Sequence, residues 1–188
     1  MNGLLADEMG LGKTLQTLTW LSLERVREEA RGKPALVICP TSLVQNWNHE
    51  AEKFVPHMKR LVINGPKRDK LFAMIGNSDL VITSYALIRR DLEYYDGCRF
   101  SAIVLDEAQH IKNRTTQNAK AVKQLHADSK LVLTGTPIEN SVSDIWSIMD
   151  FLMPDYLGNH DEFRINYEDP LSDPALGGDA AVHDKLRR

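Results

Sequence analysis

GLLADEMGLGKT, residues 3–14, begins with a short apolar run, turns through two glycines, and passes by way of Gly-Lys-Thr into a helical pattern. Strand, glycine turn and helix in that order are what a phosphate cradle requires. Gly10 and Gly12 let the backbone curl with its N–H groups pointing inward at a helix N-terminus. In such a cradle the loop Asp7, Glu8, Met9, Gly10, Leu11, Gly12 surrounds the β-phosphate, Lys13 reaches the β- and γ-phosphates, and Thr14 offers its hydroxyl to Mg2+. Gly-Lys-Thr also occurs in plain turns with an exposed lysine, so its place after a strand is what gives it weight. The general pattern has glycine where Asp7 stands. The carboxylates of Asp7 and Glu8 must therefore turn away from a bound polyanion.

Five more short runs of Val, Ile and Leu punctuate the chain: LVICP (36–40), RLVING (60–65), DLVITS (79–84), AIVLDE (102–107) and KLVLTG (130–135). With Gly3 to Ala6 they make six strand candidates. They are nearly continuous in apolar residues and do not alternate, which predicts strands buried on both faces. The expected fold is α/β, a mainly parallel sheet with helices on both faces. A helix is expected over 42–54 with Ser42 as N-cap, and another over 142–152 with Ser141 and Asp144 as a shortened capping box. Trp47 and Trp146 fall on the apolar faces of these helices and read as core or interface residues before ligand-stacking ones.

Composition narrows the function classes. The 188 residues suffice for one domain and a tail, and 43% hydrophobic with 26% charged residues excludes a disordered polyampholyte. No apolar run approaches the roughly 20 residues of a membrane span, and the opening MNGLLADEMG lacks the pattern of a signal peptide. A reducing cytosolic or nuclear setting is expected, with Cys39 a buried small hydrophobe. The net charge of −3 excludes nucleic-acid binding by bulk charge, so any such contact must be local. The six histidines and two cysteines show no zinc spacing. After Pro154 the composition shifts to Pro, Gly and acidic residues. The expected division is therefore a domain over 1–154 and a linker or inter-lobe segment over 155–188.

AIVL ends in Asp106-Glu107-Ala108-Gln109, and a buried strand that delivers two carboxylates to its C-terminal edge places them where α/β sheets bind ligands. Asp106 suits the metal ion. Glu107, beside the metal and not on it, suits the orientation and deprotonation of an attacking water, and Gln109 is a candidate sensor of nucleotide state. A solvated acidic strand end would look the same in isolation. His110 reads as an exposed loop residue. In LTGTPIEN (133–140), Thr134, Gly135 and Thr136 form a small polar turn that could relay the state of the acidic turn or be purely structural.

DEMGLGKT, DEAQHIKN and LTGTPIEN with the following DIWSIMDFLMP together resemble the N-terminal lobe of the Swi/Snf family of DNA-translocating ATPases, in helicase superfamily two. CPTSLVQNWNHE (39–50), DLVITSY and FRINYEDP (163–170) are similar to further segments of that family, in the right order over most of residues 3–154. The resemblance implies a RecA-like fold, ATP and Mg2+ as ligands, double-stranded DNA as activator, and a second RecA-like lobe of the same polypeptide that supplies arginine fingers. It also makes Asp at the first loop position expected. The spellings DEAQ and TGTPIEN resemble bacterial members, which implies a cytoplasmic, nucleoid-associated protein acting on nucleoprotein complexes. An adenine-contacting segment and the second lobe lie outside these residues, so this chain is expected to bind Mg-nucleotide weakly and hydrolyse it slowly.

Helix N-termini after strands 36–40 and 79–84 make Thr41, Ser42, Thr83, Ser84 and Tyr85 candidates for DNA phosphate oxygens, with helix capping as the equal alternative. Lys67-Arg68-Lys70 and Arg89-Arg90 could add backbone contacts or stay solvated. Two other function classes compete: an RNA helicase, which would carry PTRELA, DEAD and SAT motifs absent here, and a non-catalytic interaction module, which intact Lys13, Thr14, Asp106 and Glu107 argue against.

Overall fold

The computed structural model describes residues 2–8, 10–135 and 142–169. All six apolar runs are strands: β1 (Asn2–Leu5), β2 (Ala35–Cys39), β3 (Arg60–Val62), β4 (Leu80–Ser84), β5 (Arg99–Leu105) and β6 (His126–Leu133). They form one sheet in the order β1-β6-β5-β2-β4-β3, and every pairing is parallel. Each residue of β2 and β4 is buried, as continuous apolar strands in the middle of a covered sheet should be.

Successive side chains of the central strands feed two separate cores. Leu36, Ile38, Ile103 and Leu105 point to one face, where they meet Ile88 of α3 (Tyr85–Arg90), Val122 of α4 (Gln117–Lys123) and Phe151 of α5 (Val142–Leu152). Val37, Cys39, Ala102 and Val104 point to the other, against Leu18 and Leu21 of α1 (Lys13–Glu24) and Trp47 and Ala51 of α2 (Val44–Phe54). Helices therefore cover both faces, as expected. Among the described residues no helix is long and apolar enough to cross a membrane.

Two local expectations differ from the structure. Helix α2 begins at Val44 behind a short 3-10 turn, Thr41–Leu43, and Ser42 is exposed and caps nothing, because the tight turn takes over the entry to the helix. Arg68 is not a solvated member of a basic cluster. Its guanidinium is buried against Asp91 with bonds of 2.6 and 2.7 Å and donates a third to the Gly65 carbonyl, pinning the loop after β3 to the end of α3. Beyond Pro154 the chain stays on the domain as far as it is described. Phe163 of α6 (His160–Phe163) is 1% exposed, and Trp146 Nε1 donates to the Gly158 carbonyl at 3.2 Å. Ser141 and its expected cap lie outside the described residues.

Ile38 is fully buried in the middle strand, so Ile38→Ala is expected to cost about 2–5 kcal/mol. Leu23→Ala, at 64% exposure on α1, should stay within about 0.5 kcal/mol of wild type; urea unfolding midpoints of the two variants check the placement of the core.

Candidate functional site

Parallel pairing sends the C-terminal ends of all six strands to one edge of the sheet. The glycine turn leaves β1 there and the acidic turn leaves β5, with only β6 between them. The two turns are thus about 10 Å apart, two strand spacings.

In the first turn Gly10 and Gly12 have φ of 90° and 76°, values that favour glycine, and an added Cβ would meet nothing within 4 Å at either. Their requirement is conformational, and the space before them is open. Gly12 caps α1 in a left-handed conformation without a side-chain bond, and the first turn of α1 carries no acidic residue. The N–H groups of Lys13, Thr14 and Leu15 have no intrahelical acceptors and the turn itself carries no acidic side chain, so this positive helix end suits an anion.

Lys13 straps this loop by donating from Nζ to the carbonyls of Asp7 at 2.7 Å and Glu8 at 3.0 Å. Both acceptors are neutral, so its charge remains available. Gln16, which no motif singled out, clamps the same loop: its Nε2 reaches the Leu11 carbonyl at 3.0 Å and Asp7 Oδ2 at 3.5 Å. Asp7 thus turns its carboxylate to Gln16, and Glu8 is exposed. Thr14 is half-buried on the first turn of α1, Leu11 is exposed, and Met9 lies outside the described residues.

Asp106 is the best-held residue of the second turn. Register puts it on the same sheet face as Ala102 and Val104, hence beneath α2, and there Trp47 Nε1 donates to its Oδ2 at 2.8 Å. The Glu107 amide donates to Oδ1 at 2.9 Å. From the opposite face the Tyr85 hydroxyl donates to the Asp106 carbonyl at 2.9 Å, and the Tyr85 ring stacks on His110 with centroids 4.9 Å apart. Burial pushes the Asp106 carboxyl above its ordinary range and the Glu107 charge adds to this, whereas the Trp47 bond and the Lys13 ammonium pull it down. Lys13 is therefore within electrostatic reach of Asp106. A half-buried carboxylate with two neutral donors fits a hard divalent cation that takes its other ligands from water and phosphate oxygens.

Glu107 sits at φ 55° and ψ 65°, a left-handed conformation that costs about 1 kcal/mol or more in a residue with a side chain. The bonds that Trp47 and Tyr85 make to its neighbour hold it there. Gln109 is exposed on the following 3-10 turn. Thr134 is buried at the end of β6 with its amide on the Leu5 carbonyl, and Gly135 follows it between the two turns; Thr136 lies outside the described residues.

Of the five residues expected at DNA phosphates, the structure leaves Thr41 and Ser42 exposed on this edge and withdraws the others. Thr83 is fully buried with its hydroxyl on the Ile63 carbonyl at 3.0 Å, Ser84 is fully buried as the N-cap of α3, and Tyr85 is 3% exposed beneath Asp106. Parallel strand ends this deep in the sheet spend their hydroxyls on main chain. His110, expected in solvent, is half-buried, its ring stacked on that of Tyr85. Cys39 is buried as expected, and burial first, then the Asp106 charge, pushes its thiol up to about 12. Trp47 fits the core expectation, but its hydrogen bond to Asp106 had no sequence signal beyond its place on the inward face of α2.

A family model described as SNF2-related domain matches residues 1–188. Among curated proteins the chain is 39% identical over 184 residues to the TATA-binding protein-associated factor MOT1 of Saccharomyces cerevisiae, covering 92% of this chain and 10% of that protein. It is 39% identical over 176 residues to an uncharacterized ATP-dependent helicase of Mycoplasma genitalium, covering 93% of this chain and 17% of that protein. The chain thus spans a small part of these relatives. Among solved structures, the Sulfolobus solfataricus SWI2/SNF2 ATPase core in complex with dsDNA matches with a TM-score of 0.87 at 42% identity, over 98% of this chain and 37% of that one. Relatives from a yeast, a bacterium and an archaeon at similar identity do not single out the bacterial members.

Tyr85→Phe removes one hydroxyl from a packed site and leaves the Asp106 carbonyl without that donor, so a loss of about 1–2 kcal/mol is expected in urea unfolding. A change below about 0.3 kcal/mol would mean that this bond does not hold the turn.

Proposed function

Given that the chain belongs to the SNF2-related domain family, we propose that it forms the ATP-binding lobe of a double-stranded-DNA-dependent ATPase that moves along DNA and remodels protein–DNA complexes. The observation that carries this reading is the pairing, on one sheet edge, of a lysine-strapped glycine loop with a carboxylate held by two N–H donors. Likeness to an ATPase core in complex with dsDNA supports DNA as the activating polymer.

In this reading the amides of the first turn of α1 and of the loop bind the β-phosphate, and Lys13 exchanges its carbonyl acceptors for phosphate oxygens, a stronger charge-assisted bond. Thr14 and Asp106 would hold Mg2+, which supplies charge neutralisation on the phosphate oxygens. Glu107, presented by its left-handed backbone, orients the attacking water and takes its proton. Gln109 senses the γ-phosphate. Thr134, Gly135 and Thr136 relay the state of the acidic turn. Thr41 and Ser42 are exposed at the head of α2 and offer hydroxyls to a DNA phosphate, fixing position without reading sequence.

The remaining parts of the proposal rest on resemblance. A second lobe would supply arginine fingers, worth about 10³ to 10⁵ in turnover, so this chain by itself should bind Mg-nucleotide weakly and turn it over slowly. The spellings DEAQ and TGTPIEN support a bacterial-type, nucleoid-associated member, with residues 155–188 leading toward the second lobe.

Calorimetric titration of Mg-ADP and a non-hydrolysable ATP analogue into wild type and Lys13→Ala tests the site. Binding by wild type that disappears in the variant is expected, and equal binding by both would remove Lys13 from the phosphate site. In the complete enzyme, paired substitution of Thr41 and Ser42 by alanine should lower DNA-stimulated turnover and leave DNA-free turnover unchanged; equal loss in both would withdraw the DNA assignment.

A further inference from the structure

Trp47 has a partner that packing alone does not demand. An indole N–H donates and cannot accept, and when buried it needs one acceptor of any kind. Here the acceptor is Oδ2 of Asp106 at 2.8 Å, a carboxylate 59 residues further along the chain. The ring is 1% exposed, wedged into the core that α1 and α2 share with Val37, Cys39 and Val104, so it cannot swing away. The Asp106 backbone is held just as firmly, by its own amide on the Ile38 carbonyl at 2.9 Å and by the Tyr85 hydroxyl on its carbonyl at 2.9 Å. A fixed backbone and one fixed carboxylate oxygen leave the side chain a single orientation. The other oxygen takes the Glu107 amide at 2.9 Å, so each keeps lone-pair capacity for a further partner.

We propose that Trp47 is a positioning residue for Asp106: its indole N–H sets the orientation of the carboxylate and, with it, the strength with which a divalent cation is held beside the phosphate loop. This rests on the reading of Asp106 as the cation carboxylate. Partners of this kind, which hold a ligand without touching the ion, are typically worth 10–100-fold in metal affinity. The packing contribution of Trp47 and its hydrogen-bond contribution are separable, because an isostere with sulfur in place of N–H fills the same volume and donates nothing.

The test compares wild type, Trp47→Phe and Trp47→benzothienylalanine in the full chain, titrating ADP by calorimetry once with excess Mg2+ and once with EDTA. The ratio of the two affinities is the gain due to the ion. Expected are unchanged ADP affinity in EDTA for the isostere and a Mg2+ gain at least tenfold smaller than in wild type, with Trp47→Phe equal to the isostere wherever it folds. In 1H–15N spectra of wild type the Trp47 indole correlation should be shifted downfield, and it should move when Mg-ADP is added. An isostere that keeps the full Mg2+ gain overturns the proposal, because packing then explains Trp47. An isostere that loses ADP affinity equally with and without Mg2+ overturns it as well, since the damage is then general. A wild type without any Mg2+ gain is the distinct failure of the Asp106 reading, and the role of Trp47 falls with it.

Discussion

Every ladder in the sheet is parallel, and that constraint governs the rest of the molecule. A parallel sheet brings all its strand ends to one edge. There the chain must leave the ladder, and main-chain groups lose their strand partners. The edge is therefore where glycine conformations, the N-terminus of α1 and a left-handed glutamate collect. The strand order adds the distance: with β6 alone between β1 and β5, the glycine turn and the acidic turn lie close enough for Lys13 to act electrostatically on Asp106.

Holding a carboxylate at this edge has an electrostatic cost, since burial disfavours its charge. The fold offsets it with the Trp47 N–H from the α2 side and the Glu107 amide from the turn itself, while from the α3 side the Tyr85 hydroxyl holds the Asp106 main-chain carbonyl. The same three contacts keep Glu107 in its strained conformation, which no bond of its own side chain need do. Helix α2 thereby belongs to two surfaces, with exposed Thr41 and Ser42 before it and the donor to Asp106 on its inner face.

The strands were legible because their apolar residues are continuous; every residue of β2 and β4 is buried, and all of β5 but Arg99, whereas β1, β3 and β6, which flank them toward the sheet edges, are partly exposed. The glycine turn was legible because the conformations it needs belong to one residue type. Side-chain partners were not. Thr83, Ser84 and Tyr85 read as polar groups at a strand end, yet depth in the sheet turns all three inward. Arg68 read as one of three basic residues, yet Asp91 at the end of α3 claims its guanidinium. The composition change after Pro154 said nothing of packing, yet Phe163 is buried and the Gly158 carbonyl accepts from Trp146 of α5.

The sequence by itself determined the α/β class, the order of strands and helices along the chain, and the residue types at the phosphate loop and the acidic turn, because each depends on near neighbours. Only the tertiary structure decided that Trp47 and Tyr85 hold Asp106 from opposite faces, that Gln16 draws the Asp7 carboxylate aside, and that Thr41 and Ser42 alone of five hydroxyl residues remain exposed. These contacts follow from register and layer packing. A hydrogen bond across 59 residues depends on where two strands and a helix come to rest, and no local pattern records that.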